Sequence, residues 1–259
     1  MPRDLLAEKT LQSMPTLEKA EDLSPAPMSL FRKPTLLEDR FKKLADLRPY
    51  SLLLNRDDAD DCDWLEHAAF DANEAASREK IEYRLRTCGE LCTGIFTSAY
   101  ATCSGSVSSL VKARKFPSVD SMASDRKRIL IGHIIATKSK SPIVTDDSMA
   151  FPSDWRTKYQ LGPSTGHDEE GETVCLHSLC VHPDFHQRGL GGVLLRGWSQ
   201  RIRDSGMAKR IALICRERLV GWYEKNGFKK VGPSKCQYGG GDWVDMVMDF
   251  ESAGEYEDC

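Results

Sequence analysis

The chain has 259 residues, is 40% hydrophobic and 29% charged, and carries a formal net charge of −3. That suits one globular domain with tails and gives no overall attraction to nucleic acid. Nine cysteines without a Cys-x-x-Cys pair spell neither a zinc cluster nor a disulfide framework, and no apolar run approaches the ~20 residues of a spanning helix, so a reducing cytosol is the expected setting and no membrane contact is expected.

Residues 1–47 alternate charged residues, Ser and Pro with isolated leucines, and Pro15, Pro25, Pro27 and Pro34 break any long helix, which reads as a disordered arm. Tyr50 to Asn55 is a short apolar run, expected to be the first strand. Asp57, Asp58, Asp60, Asp61 and Asp63 precede a helix with Trp64 and Ala68 inward. The aspartates read as a solvated helix start, with a funnel for cationic amines as the sharper alternative. Ser77 is placed to cap a second helix, where Ile81 and Leu85 form an apolar i, i+4 pair. Residues 102–127 are rich in Ser and basic side chains and read as a disordered insertion between two strands. Arg128 to Ala136 is the returning strand, with His133 expected to be packed and hydrogen-bonded inside it. A second insertion, 139–172, holds Phe151, Trp155 and Tyr159 at the spacing of one helical turn.

The most informative stretch runs from Val174 to Val193. Val174, Leu176, Leu179 and Val181 mark a strand closed by Pro183, and Leu194, Leu195, Trp198 and Ile202 mark a helix. Between them lie Gly189, Gly191 and Gly192. Backbone without β-carbons at a helix start can close its N–H groups on an anion, aided by about half a positive charge from the helix dipole. The turn is therefore a phosphate seat, but it lacks the lysine of a P-loop and the Gly spacing of a dinucleotide site. Ala208 to Cys215 follows as a strand, residues 217–225 as a short helix stopped by Asn226-Gly227, then Lys229 to Val231 and Trp243 to Phe250 as closing strands, with a loose acidic tail over 251–259.

His186-Gln187-Arg188-Gly189-Leu190-Gly191 resembles the pyrophosphate loop Arg/Gln-x-x-Gly-x-Gly/Ala of the GNAT superfamily of acyl-CoA-dependent N-acyltransferases, with His at the first position. Tyr223 followed by Asn226-Gly227-Phe228 belongs to the same signature. Leu176 to Leu179, Val181-His182 and Leu219 to Glu224 are most similar to the arylalkylamine (serotonin) N-acetyltransferases, over roughly residues 48–250. The resemblance implies an α/β (α+β, mixed-sheet) fold whose central parallel strands splay apart, with acetyl-CoA as co-substrate and no metal. It implies that Leu179, Cys180 and Val181 offer main chain to the pantetheine arm and that Gln187, Arg188, Gly189, Leu190, Gly191 and Gly192 hold the pyrophosphate. Residues 85–96 would help cover the amine pocket.

An alkylammonium has a pKa near ~10.4, so producing the neutral amine at pH 7 costs roughly 4.6 kcal/mol and calls for a base. The related enzymes use His-x-His on the strand. Here Cys175 holds the first position and His177 the second, so His177 is the candidate base and Cys175 a poor substitute. By the same resemblance Tyr223 protonates the departing thiolate, while His182 and His186 read as surface or anion contacts. Arg32-Lys33-Pro34-Thr35-Leu36 resembles a site that, once phosphorylated, docks a 14-3-3 protein. The expected function is acetyl transfer to a primary amine of arylalkyl type. Polyamines or protein amino groups are alternative acceptors, and a non-catalytic acyl-CoA-binding regulatory protein is the alternative of another class.

Overall fold

A computed structural model describes residues 44–100, 107–122, 124–157 and 165–250. Seven strands make one sheet in the order β1-β2-β3-β4-β5-β7-β6. They are β1 (Tyr50–Leu53), β2 (Thr93–Tyr100), β3 (Arg126–Ser139), β4 (Thr173–Val181), β5 (Arg210–Cys215), β6 (Lys229–Pro233) and β7 (Val244–Asp249). Only β4 and β5 pair in parallel. They are joined through α5 (Leu190–Asp204), the long crossover helix that a parallel pair requires.

Helices cover both faces. Leu194, Leu195, Trp198 and Ile202 of α5 pack with Val174, Leu176, Ile211 and Leu213 on one side. On the other, α1 (Ala59–Ala69) and α2 (Arg78–Cys88) bring Leu65, Ile81 and Leu85 against Phe96, Leu130 and Ile135. Ser77 caps α2 by accepting from Lys80 N–H at 3.3 Å, as its sequence position predicts. In α1 the buried face is Cys62, Leu65 and Glu66, while the expected inward Ala68 is exposed.

The sheet opens at its centre for an identifiable reason. Pairing of β4 with β5 runs from Thr173↔Arg210 to Leu176↔Leu213 and stops, although both strands continue. Against β3, the register jumps from Ile135↔Ser178 to Ala136↔Leu176, which leaves His177 without a partner opposite it. Such a bulge bends its strand and increases the twist. It lies one residue past the last β4–β5 pair, so the bend carries β4 away from β5 and the expected splay results.

Three expectations change. Residues 107–122 of the first insertion are placed: α3 (Ser108–Ala113) and its continuation bury Val107, Leu110 and Phe116, and Phe116 meets Trp64 edge-on with centroids 5.6 Å apart. Three spaced apolar side chains in a basic, Ser-rich stretch are enough to anchor it. The aspartates divide: Asp57 and Asp60 stay exposed at the helix start as expected, with Asp60 held by Arg78, whereas Asp58 and Asp61 are buried and paired with Arg128 and Arg114, the latter at 2.7 Å. Around Trp155 there are single turns, Trp155 N–H to Pro152 and Thr157 N–H to Asp154, and Trp155 packs on Tyr83 with centroids 5.7 Å apart. Tyr159, Thr35 and the rest of 1–43, and the tail 251–259 lie outside the described residues. Among the described residues no helix is long and apolar enough to cross a membrane.

Candidate active site

A cavity of about 250 Å³ fills the gap where β4 leaves β5. His177, Leu179, Cys180 and Val181 line it from β4, and Ile214, Cys215 and Arg216 from the end of β5. Tyr223 reaches it from α6 (Val220–Glu224), and Phe70, Tyr238 and Trp243 give it aromatic walls. A larger hollow of about 380 Å³ lies between β1 and α5, but Arg201 is its one ionisable lining group, so among the described residues it offers no base.

The bulge turns His177 toward Thr137 and Met149. Its Nε2 lies 2.7 Å from the Thr137 hydroxyl and its Nδ1 2.9 Å from the Met149 sulfur. Sulfur is a weak acceptor, so Nδ1–H faces it and Nε2 accepts from Thr137. Burial, reinforced by the charges of Arg84, Lys80 and His167, holds the imidazole pKa well below its usual value. The ring is neutral at pH 7, and to take up a proton at Nε2 the Thr137 hydroxyl must swing its hydrogen away.

Cys175 shares that side of the sheet but not the cavity. It is fully buried among Val144, Met149 of α4 (Asp146–Met149), Ala212 and Cys236, and burial pushes its thiol up to about 12. A histidine has no room there, so restoring the His-x-His pair by substitution would overpack the core.

Tyr223 is held by edge-on contacts with Trp222 and Phe228, at 4.8 and 5.6 Å between centroids. Burial, with a smaller contribution from Cys215, raises its phenol further above the usual value. It therefore remains an O–H donor at any physiological pH.

The glycine turn has the shape of an anion cradle. Gln187 and Gly189 take positive φ, 61° and 81°, which places Gly189 at the N-cap of α5 with no side-chain cap. The ladder begins with Val193 N–H on Gly189 at 3.1 Å, leaving the first-turn amides of Leu190, Gly191 and Gly192 without intrahelical acceptors. A β-carbon on Gly189 would meet nothing within 4 Å, so space for an oxyanion lies in front of the turn. Leu190 itself is buried, and the Arg188 side chain is drawn to Asp46 at 3.0 Å, so what these residues present to the cradle is main chain. His186 is exposed and its Nε2–H donates to the Val181 carbonyl at 2.8 Å, while His182, expected at the surface, is buried and stacked on Trp64 at 5.0 Å.

One cluster on the cavity wall escaped the sequence analysis. Glu66 and Cys180 line the cavity, and behind them the buried His133 places Nε2 2.9 Å from Glu66 Oε2, 3.0 Å from Ser178 Oγ and 3.3 Å from Cys180 Sγ. Ser178 donates to the same Glu66 oxygen at 2.6 Å, and Ala76 N–H donates to the other at 3.1 Å. Opposite, Arg216 clamps Glu74 at 2.6 Å and the Gly241 carbonyl at 2.7 Å while lying 3.8 Å over Trp243, which fixes the aromatic wall.

Residues 164–250 match the acetyltransferase (GNAT) domain family. A 75-residue segment is 40% identical to serotonin N-acetyltransferase of Mesocricetus auratus and another alignment of that length is 36% identical to the Homo sapiens protein; each covers 29% of this chain and 36% of the relative. The chain thus spans about a third of the length of the curated relatives it matches. The loading GNATL domain of CurA from Lyngbya majuscula superposes with a TM-score of 0.52 at 12% identity, covering 78% of this chain and 98% of that one. The GphF GNAT-like decarboxylase in complex with isobutyryl-CoA gives 0.53 at 14%, covering 78% and 99%. At such identity they speak for the fold alone.

Within the matched segment, His177, Tyr223 and the strand residues Leu179, Cys180 and Val181 meet at one cavity. The glycine turn follows directly from the end of β4, through Pro183–Phe185 and His186. Thr137, Met149, Glu66 and the Arg216 clamp are what sequence analysis missed. Thr137 and Met149 lie 40 and 28 residues from His177, Glu66 lies 67 from His133, and Arg216 lies 25 from the carbonyl it holds.

Proposed function

We propose that this protein is an acetyl-CoA-dependent N-acetyltransferase that passes acetyl directly to a primary amine of the arylalkyl type. The observation that carries the reading is the cavity at the β4–β5 splay, which brings together a neutral imidazole and a protonated phenol, with the glycine cradle following along the chain from His186 on its wall. In this reading the cradle amides bind the pyrophosphate of the coenzyme, and the open edge of β4 at Leu179 to Val181 receives its pantetheine arm. The neutral His177 accepts the ammonium proton, directly or through water, and Tyr223 delivers one to the sulfur as the thioester bond breaks. The amine nitrogen bonds to the acetyl carbon, the carbon–sulfur bond breaks, and no covalent enzyme intermediate is required.

The aromatic walls from Phe70, Tyr238 and Trp243 favour a flat apolar acceptor, as does the partial similarity to serotonin N-acetyltransferases. A polyamine acceptor is weakened, since three of the five aspartates that would attract it, Asp58, Asp60 and Asp61, are paired with arginines. The test is a panel of tryptamine, phenylethylamine, spermidine and a lysine peptide, each with acetyl-CoA and purified protein. Tryptamine and phenylethylamine should be acetylated fastest. Coenzyme binding with turnover of none of the four would instead support the acyl-CoA-binding regulator. A 14-3-3 partner at phosphorylated Thr35 is proposed only from the motif, and binding of the protein phosphorylated at Thr35 to 14-3-3, against the unphosphorylated form, tests it.

A further inference from the structure

We infer that Glu66 is the counter-ion that seizes the ammonium group of the acceptor, which makes the site selective for cationic over neutral acceptors. The inference rests on the acyl-transfer reading of the same cavity and adds the group that recognises the amine.

A carboxylate taken out of water needs compensation. Glu66 is 2% exposed and faces the cavity, yet among the described residues no lysine or arginine forms an ion pair with it. Its partners are the Ala76 amide, the Ser178 hydroxyl and His133 Nε2. The other nitrogen of His133 is buried without a hydrogen-bond partner, so the ring is oriented by its Nε2 contacts alone. The nearby cations are engaged elsewhere: Arg84 donates to the Met149 carbonyl at 3.0 Å and Lys80 lies 4.4 Å from the Tyr238 ring centroid. The other carboxylate on the cavity, Glu74, is clamped by Arg216. Burial alone would raise the Glu66 pKa, but the hydrogen bond and the charge of His133, followed by the hydrogen bonds from Ser178 and Ala76, bring it below the usual carboxylate value. The result is an anion fixed by hydrogen bonds on the wall of an aromatic cavity, with no lysine or arginine in an ion pair with it among the described residues, complementary to a protonated amine.

The experiment uses the full chain saturated with coenzyme A, at pH 7, and compares binding of tryptamine with that of tryptophol, its neutral hydroxyl analogue. We expect tryptamine to bind at least tenfold tighter. Glu66→Gln should erase that preference and raise the tryptamine KM at least tenfold, with coenzyme affinity within twofold of wild type. Equal or absent binding of both ligands to wild type, or a Glu66→Gln protein that keeps the preference, would overturn the proposal. Glu66, His133 and Cys180 also bring possible metal-ligand atoms within 4.8 Å of one another. The measurements are therefore repeated with EDTA, and loss of the preference on chelation would equally overturn a direct carboxylate contact. Failure of the activity reads differently: a wild-type protein that prefers tryptamine but transfers no acetyl keeps the anchor and removes the reaction.

Discussion

Gly191→Glu isolates the anion cradle from the fold. A β-carbon at Gly191 would stand 3.8 Å from Trp222 Cζ2 and 3.9 Å from Val181 Cγ2, which is ordinary contact, and the residue does not sit at positive φ. The backbone therefore accepts a side chain, and Gly191→Ala should leave the melting temperature unchanged and the coenzyme affinity within about twofold. A glutamate on this first helical turn instead points a full charge toward the phosphates. At ~5 Å and an effective dielectric near 20, each unit of like charge costs about 3 kcal/mol, on the order of a hundredfold in affinity, and a pyrophosphate carries more than one. Calorimetry with coenzyme A should show a loss of a hundredfold or more, with the thermal transition preserved. A Gly191→Glu protein that melts normally and binds coenzyme A with unchanged affinity would remove the phosphate-loop assignment.

Other outcomes follow from the same geometry. His177→Ala should lower kcat by on the order of a hundredfold, and near-normal rates from pH 6 to 9 would exclude His177 as the base. Because burial depresses the His177 pKa in the folded state, the unfolded chain takes up the proton first as pH falls below about 6.5, so stability is full above that pH and declines beneath it. Urea melts between pH 7.5 and 5 should show His177→Asn flattening that decline by up to about 1.4 kcal/mol per pH unit. Tyr223→Phe keeps the ring contacts and should cost roughly ten- to a hundredfold in kcat at constant coenzyme affinity; parallel losses in both would make Tyr223 a binding residue. Arg114→Met strands the buried Asp61, whose carboxyl burial already pushes up, and should destabilise by about 2 to 4 kcal/mol, partly recovered by adding Asp61→Asn. A loss under ~0.5 kcal/mol would mean that Asp61 reaches water in solution.

What could be read without the structure was short-range. The strand, glycine turn and helix from Val174 onward declare themselves because period-two and helical spacings adjoin within 20 residues. Tyr223 and Asn226-Gly227 were legible for the same reason. Glu66 was not, because the groups that hold it, His133 and Ser178, lie 67 and 112 residues away, and a glutamate on a short helix is usually solvent-facing. Asp58 and Asp61 misled for a related reason: their arginines, Arg128 and Arg114, sit across an insertion whose composition resembles disorder. Composition measures average polarity, whereas the three apolar side chains that pin this segment are a matter of position. The bulge was invisible because Cys175 and His177 satisfy a two-residue period whether or not the strand is regular.

With His177 skipped, β4 becomes an unbroken ladder. Val174, Leu176, Leu179 and Val181 pack on the α5 side, and Cys175, Ser178 and Cys180 take the opposite side in strict alternation. The imidazole is thus a supernumerary residue, one that the sheet does not use for pairing or for either hydrophobic layer. Packing and chemistry rest on separate letters of this strand. Position 177 can therefore change its chemistry without asking the core to be rebuilt.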